Sequence, residues 1–382
     1  MMKTDGRVDP ETDRRFMAAV LSLGWWHQGL ARPNPSVGAI LVRPGSEPVV
    51  IARGVTGIGG RPHGEAMALA MAGEAARGAT AYVTLEPCSH CGRAGPCCEA
   101  LAAAGVGRVV SAMEDPDPRV AGQGHAFLRQ SGIALTTGVL EAEARRLHAG
   151  HISRILRQRP HVFLKLAVSA DGFIGRNGDG QIAISGDESR AYAHALRAEA
   201  DAIVVGIGTA LADNPSLTCR LPGMELRSPL RVVLDPSLRL AVQSTLVRTA
   251  RQTSVTVFSQ TGSWDGDSQR EALTAAGVDV RAAALAPDGG LDLVDVLFQL
   301  SNLGVGRLMV EGGARLARSL IEADLVDELH LVRSPVMIGP GGVPAFGGLT
   351  LAEATTKLHI SEQRWLGRDR LIHYRRADRT VT

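Results

Sequence analysis

The sequence predicts a two-domain α/β protein, and three observations carry that expectation. Strand-like apolar runs alternate with helix-like stretches through both halves of the 382 residues, the order that builds layered sheets. The chain is 45% hydrophobic and 21% charged, with 44 glycines. That supplies sizeable cores and many turns and argues against disorder. Arg159-Pro160 closes a helix-like run and marks a boundary, giving domains over residues 1–157 and 158–382.

Composition also excludes some functions. The formal net charge is +2, and no long basic run offers a nucleic-acid footprint. The N-terminal stretch MMKTDGRVDPETDRR lacks an apolar signal core, and no apolar run is long enough to span a bilayer. Four of the five cysteines fall between positions 88 and 98. Such clustering without a leader points to a reducing cytoplasm and metal use, not disulfides.

In the first half, Asp9-Pro10 opens a helix by cap and first-turn chemistry. Phe16, Met17, Val20, Leu21 and Leu23 form its core face; Trp25 and Trp26 are assigned to packing. The loop Arg32-Pro33-Asn34-Pro35-Ser36 leads into a buried strand, Val37 to Val42. Two prolines stiffen the Asn34 backbone. Its amide suits a pyrimidine edge, although locally it reads as a turn asparagine. Val49 to Ala52 pairs as a second strand, and a glycine-rich loop, Gly54 to Gly60, precedes a helix with Pro62 in its first turn. Ala79 to Leu85 is a strand, Pro96 starts a helix ending near Gly105, and Val106 to Ala112 is a strand. Segments 124–130 and 133–137 follow. A helix from about Leu140, rich in Arg and His, reads as a solvated connection.

The chemistry concentrates between Pro62 and Glu99. His63-Gly64-Glu65 is followed by Pro87-Cys88-Ser89-His90-Cys91-Gly92-Arg93-Ala94-Gly95-Pro96-Cys97-Cys98-Glu99, the outline of a zinc-dependent base deaminase. One imidazole and two thiolates hold Zn²⁺ and leave a fourth position for water, whose pKa the metal lowers to roughly 7. Glu65 stays off the metal and moves protons. The rival reading is a structural zinc knot, which would use four protein ligands. His63, Cys88 and Cys97 arrive from turns at one end of the sheet. Spacing alone leaves open whether Cys91 or Cys97 joins Cys88.

In the second half, His161 to Ser169 is a buried strand, Asp171-Gly172 turns the chain, and Asn177-Gly178-Asp179-Gly180 makes a further turn. A helix spans about Glu188 to Ala200. Strands are expected over 201–206, 231–235, 255–259 and 308–310. Gly206-Ile207-Gly208 and Glu311-Gly312-Gly313 each lead from a strand into a helix, where backbone N–H groups suit phosphates. Leu211 at the last position of the first motif makes a Rossmann signature incomplete. Residue chemistry alone stops at a nucleotide-binding α/β domain.

The segments PNPSVGAILV, TLEPCSHCGRAGPCCEAL and DPDPRVAGQG resemble the deaminase domain of the bifunctional riboflavin-biosynthesis deaminase–reductase family. RPHVFLKLAVSADGFIG, DAIVVGIGTALADNPSLTCR, PLRVVLD and MVEGGARLARSLIEADLVDE resemble its reductase domain. The resemblance covers nearly the whole chain. It implies a cytidine-deaminase-like three-layer α/β/α domain followed by a dihydrofolate-reductase-like α/β domain that uses NADPH. It puts the metal on His63, Cys88 and Cys97, the proton shuttle on Glu65, and leaves Cys91 and Cys98 as free thiols. Asn34 and Arg93 fall at substrate positions, Arg93 suiting a phosphate. Cofactor contacts fall on Ala167, Ala183, Thr209, Asp213 and the helix start Gly313, Ala314, Arg315, Leu316, Ala317, Arg318 and Ser319. Substrate contacts fall on Gln181, Arg197, Leu217, Arg220 and Glu311. The chain departs from the family pattern at Gly64, usually Ala; at Thr56, often His; and at Ala183, where a Trp is common.

The resemblance thus implies hydrolytic deamination of 2,5-diamino-6-ribosylamino-4(3H)-pyrimidinone 5′-phosphate, then NADPH-dependent reduction of the ribosyl group to ribityl. It also implies a homo-oligomer without nucleic-acid or membrane partners. The alternatives are a nucleic-acid base deaminase with an accessory domain and a non-catalytic zinc module tied to a nucleotide sensor.

Overall fold

The computed structural model describes residues 9–89, 95–176, 182–260 and 268–377. The chain divides into two units, Met1–Gln158 and Arg159–Thr382. Among the described residues, no helix is long and apolar enough to cross a membrane.

The first unit runs α1 (Pro10–Trp26), β1 (Gly38–Arg43), β2 (Val49–Val55), α2 (Gly64–Ala72), β3 (Thr80–Val83), α3 (Cys97–Ala103), β4 (Arg108–Ser111), α4 (Gln123–Gln130), β5 (Ala134–Thr137), α5 (Glu141–Leu147) and α6 (Ala149–Arg157). The sheet order is β2-β1-β3-β4-β5. β1 runs antiparallel to β2 and β3, and β3, β4 and β5 run parallel. Side chains alternate across a strand, so each face meets its own helices. Ile40, Val42, Tyr82 and Val110 pack with α1 and α5 residues such as Met17, Val20 and Leu147. Ala39, Leu41, Val83 and Val109 pack with Ala68 of α2, Leu101 of α3 and Leu128 of α4. The result is a helix–sheet–helix sandwich. Asp9 caps α1 by accepting the N–H of Glu11, and Asp13 pins the helix to the sheet by accepting from Arg108 and the Tyr82 hydroxyl.

Three local expectations are corrected. The helix carrying Glu65 has His63 as its N-cap, so Pro62 lies before the first turn. β2 extends through Gly54 into the expected loop because Gly54 lets α2 approach: a Cβ there would sit 2.1 Å from the Gly64 carbonyl oxygen. The Arg- and His-rich connection is two helices that meet at His148, and it is packed: Leu147 and His148 are each 1% exposed. His148 Nε2 lies 3.1 Å from the Thr84 hydroxyl, and Gln28 donates to the Leu147 carbonyl.

The second unit runs β6 (His161–Val168), β7 (Phe173–Arg176), α7 (Asp187–Glu199), β8 (Ala202–Gly206), α8 (Ile207–Asp213), β9 (Leu230–Leu234), α9 (Thr245–Arg248), β10 (Val255–Gln260), α10 (Ser268–Ala275), β11 (Asp279–Ala283), α11 (Leu293–Asn302), β12 (Arg307–Glu311), α12 (Ala314–Glu322), β13 (Glu328–Arg333), β14 (Gly342–Pro344), α13 (Leu351–Ala354), β15 (Leu358–Leu366) and β16 (Asp369–Arg376). The expected turn at 177–180 lies outside the described residues. The main sheet has the order β11-β10-β9-β8-β12-β6-β13-β16-β15. It is parallel from β11 to β13, and β16 and β15 continue it antiparallel.

Its two faces also carry separate cores. Leu164, Val204 and Val310 pack with α11 and with Leu316, Ala317 and Leu320 of α12. Phe163, Ile203, Val205 and Met309 pack with Leu196 of α7 and with Ile207 and Ala210 of α8. The neighbouring parallel strands β8 and β12 therefore send their following helices to opposite faces. A crevice opens at their carboxyl ends, the place where open α/β sheets take ligands.

Candidate active sites

In the first unit, three ligand-type side chains come from three turns. His63 precedes α2, Cys88 follows β3, and Cys97 is the first residue of α3. His63 Nδ1 lies 3.6 Å from Cys88 Sγ and 3.4 Å from Cys97 Sγ, and all three donor atoms lie within 4.8 Å of one another. Zn–N and Zn–S bonds in a tetrahedron put N and S about 3.5 Å apart, so this donor set fits zinc. The Cys97 N–H points at Cys88 Sγ. Hydrogen bonding from the Cys97 thiol, helped by His63, holds the Cys88 thiol down at about 4, while the same contact and burial push Cys97 up.

Glu65 lies one residue into α2 and is 4% exposed. Burial pushes its carboxyl up to about 7, and its Oε2 has no hydrogen-bond partner. A buried carboxyl poised near neutrality beside a three-donor metal cradle suits proton transfer.

Gly64 explains one departure from the family pattern: a Cβ at this position would meet the Val37 carbonyl oxygen at 2.4 Å. Thr56 is structural, its hydroxyl accepting the Val37 N–H. Asn34 donates through Nδ2 to the Gly60 carbonyl at 2.8 Å, which ties its loop to the turn before His63 and satisfies the turn-asparagine reading, while Oδ1 is left as an acceptor. Cys98 is buried in the core under α3, where burial pushes its thiol up to about 11. Cys91 and Arg93 lie outside the described residues.

In the second unit, a cleft of about 2000 Å³ occupies the crevice. Of the expected contacts, Ala167, Ala183, Thr209, Asp213, Gly313, Ala314, Arg315, Leu316, Arg318 and Ser319 line it, as do Arg197, Arg220 and Glu311. Two do not present side chains to it. Ala317 faces the sheet from α12 and is fully buried, because the helix turns every third or fourth residue inward. The Leu217 side chain is in the opposite core, at φ 54. Gln181 lies outside the described residues. The glycine turn brings the two strand ends together: a Cβ on Gly313 would lie 3.1 Å from Thr209 Oγ1.

The floor of the cleft is charged. Arg197 Nε and Nη2 donate to the two Glu311 oxygens at 2.7 and 2.6 Å. Burial alone would push Glu311 up, but Arg197 and Lys165 hold it below the ordinary carboxylate range. Lys165, opposite Glu311 in the β6–β12 register, is itself pushed down by burial. Lys165 and His194 line the cleft without having been expected there. A signal for the first was available: it is the lone charge inside the apolar run HVFLKLAVS.

Fold and sites together define a zinc-centre deaminase unit joined to a nucleotide-binding α/β unit. Residues 10–113 match the cytidine and deoxycytidylate deaminase zinc-binding region, and residues 160–371 match the RibD C-terminal domain. The riboflavin biosynthesis protein RibD of Aquifex aeolicus (strain VF5) is 35% identical over 366 residues, covering 96% of this chain and 99% of its own. That of Escherichia coli (strain K12) is 37% identical over 376 residues, covering 94% and 98%. The chain belongs to the RibD family of riboflavin biosynthesis proteins. Among solved structures, Acinetobacter baumannii RibD superposes with a TM-score of 0.84 at 30% identity, covering 97% of this chain and 100% of that one. A Thermotoga maritima diaminohydroxyphosphoribosylaminopyrimidine deaminase/5-amino-6-(5-phosphoribosylamino)uracil reductase gives 0.81 at 30% identity, covering 96% and 99%.

Proposed function

We infer that this chain is a bifunctional deaminase–reductase of riboflavin biosynthesis. It deaminates 2,5-diamino-6-ribosylamino-4(3H)-pyrimidinone 5′-phosphate and then reduces the ribosyl group, giving 5-amino-6-(5-phospho-D-ribitylamino)uracil. The observation that carries the reading is the convergence of His63, Cys88 and Cys97 beside a buried carboxyl with one oxygen unpartnered.

His63, Cys88 and Cys97 would hold zinc, which when bound makes a water acidic enough to act near neutral pH. Glu65 takes the proton of the attacking water, passes it to the ring nitrogen, and carries a second to the departing ammonia. Asn34 Oδ1 offers an acceptor to the pyrimidine, and Arg93 suits the phosphate. NADPH, when bound in the second unit, would supply a hydride for C1′ of the ribosyl group. The Gly313–Ser319 helix start, with Thr209, Asp213, Ala167 and Ala183, makes its binding wall, and Arg315 suits its 2′-phosphate. Arg197 and Arg220 suit the substrate phosphate, and Gln181 and Leu217 are assigned to the substrate by the family resemblance alone. Glu311 accepts from the pyrimidine or sugar, and Lys165 holds a proton at Nζ for the opening ring oxygen. The two domains are drawn at 1–157 and 158–382, and the enzyme works in the cytoplasm as a homo-oligomer.

The test supplies the diaminopyrimidine phosphate with and without NADPH and identifies products by mass. The deaminated pyrimidine should accumulate without NADPH and its ribityl form with it. Unchanged substrate in both tubes would refute the assignment.

A further inference from the structure

Outside the two reaction centres, the antiparallel pair β13–β16 carries another group of ligand-type side chains. We propose that Glu328, His330 and His373 form a second metal site, a buried one inside the reductase unit, suited to a divalent ion of the zinc type.

The strands bring these residues together. Glu328 and His330 are two apart on β13, so they share one face. His373 lies directly opposite His330 in the β13–β16 register. All three are buried. His373 Nε2 is 2.9 Å and His330 Nε2 is 3.4 Å from the same carboxylate oxygen, Glu328 Oε2, and the three donor atoms lie within 4.8 Å of one another. A tetrahedral ion with nitrogen and oxygen ligands separates neighbouring donors by about 3.3 Å. The spacing resembles that of the His63–Cys88–Cys97 trio in the same chain.

A second observation points to a ligand. His330 Nε2 is buried, faces the carboxylate and has no hydrogen-bond partner. The group around the trio has the form of an outer shell that orients metal ligands. The Tyr192 hydroxyl is 2.7 Å from His330 Nδ1. A ring N–H donated to that oxygen leaves the Nε2 lone pair directed at the cluster. His161 Nε2 lies 3.1 Å from Glu328 Oε1, fixing the carboxylate from its far side, where Arg375 Nε also stands at 3.8 Å. The His330 and His373 rings stack at 4.0 Å and 20°, so both present an Nε2 edge to one oxygen. Two imidazoles and a carboxylate are a donor set for zinc and its first-row neighbours, with no thiolate.

The experiment uses tag-free, full-length protein produced in zinc-supplemented medium, with metal measured per chain. The wild type should carry two equivalents of zinc. The Cys88→Ser/Cys97→Ser variant should keep one, and adding His330→Gln should remove it while NADPH oxidation on the deaminated substrate reports a folded unit. Reconstituted with Co²⁺, the cysteine variant should show ligand-field bands without the sulfur-to-cobalt charge-transfer band that the wild type shows. A cysteine variant that binds neither zinc nor Co²⁺ overturns the proposal, whatever the histidine variant does. So does metal retained unchanged after His330→Gln.

Discussion

Glu86 Oε1 accepts the backbone N–H of His125 at 3.1 Å, tying the end of the β3 segment to the start of α4. Oε2 accepts from Gly122 and Asp115 at 3.0 and 3.1 Å. One buried carboxylate thereby holds the DPDPRVAGQG loop against the turn that carries Cys88. Gly124 completes the fit, since a Cβ there would lie 2.0 Å from the Pro87 carbonyl oxygen. Glu86→Gln turns an amide N–H₂ toward donors, at a cost of about 1–3 kcal/mol for a buried unsatisfied group. Zinc affinity should fall by about 10–100-fold, the usual effect of removing an orienting partner. Chelator competition measures the affinity and thermal unfolding the stability; unaltered zinc retention would show that the tie does not position Cys88.

Glu65→Gln should cut ammonia release by about 10²–10⁴-fold, the range for a positioned acid–base group. NADPH oxidation on the deaminated substrate should be unaffected. Coupled ammonia detection decides it, and a wild-type rate would remove Glu65 from the mechanism.

Arg197→Met removes the ion-pair partner of Glu311, which is half-buried on the cleft floor with Lys165 as a remaining nearby cation. Breaking a fully buried pair from one side costs about 3–5 kcal/mol; partial exposure and Lys165 reduce that here, so the second unit should melt at a lower temperature. Reversing the loss needs Glu311→Gln as well, and a double-mutant cycle by chemical denaturation reads the coupling.

Lys165→Met should lower reductase kcat by about 10²-fold or more if Nζ supplies the proton, with ammonia release unchanged. Stopped-flow NADPH absorbance provides the measurement. A change confined to KM would assign Lys165 to binding alone.

Acid should destabilise the first unit through His148. Burial pushes this imidazole down to about 3, whereas in the unfolded chain it titrates near 6.5. Between those values the unfolded state binds the extra proton, so stability is full above about pH 6.5 and falls by about 1.4 kcal/mol per pH unit below it. His148→Gln should flatten the slope of denaturation midpoints between pH 6 and 4. An identical slope in both proteins would show that His148 is accessible to protons when folded.

His63, Glu65 and Cys88 were legible because their chemistry is local: these residue types beside a proline-led turn and a strand end name a reaction before any fold is known. Spacing left Cys91 and Cys97 as rivals for the third position, and only the family resemblance favoured Cys97. The sandwich of the first unit was legible for a similar reason, from apolar periodicity along 16–21 and 37–42. The second unit was less so. β13, β15 and β16 went unread because their runs mix charge with apolar residues: β15, LHISEQRWL, is exposed along most of its length, and β13 and β16 bury their histidines. The buried ionic residues are the sharpest case. Lys165 and Arg231 both interrupt apolar strands, yet one lines the cleft. The other is fully buried and donates to the carbonyls of Ser216, Leu246, Thr249 and Thr253. Only the fold separates a charge aimed at a ligand from one that fastens loops. The solvated connecting helix failed on the same ground, since its arginines masked the inward Ala144, Leu147 and His148.

The divergence of α8 and α12 from adjoining strands has a consequence for how this half of the molecule can change. The hollow between them is made by the route of the main chain, so it precedes any choice of tenant. Exchanging the residues that furnish it would alter which phosphorylated molecule lodges there while leaving the room standing.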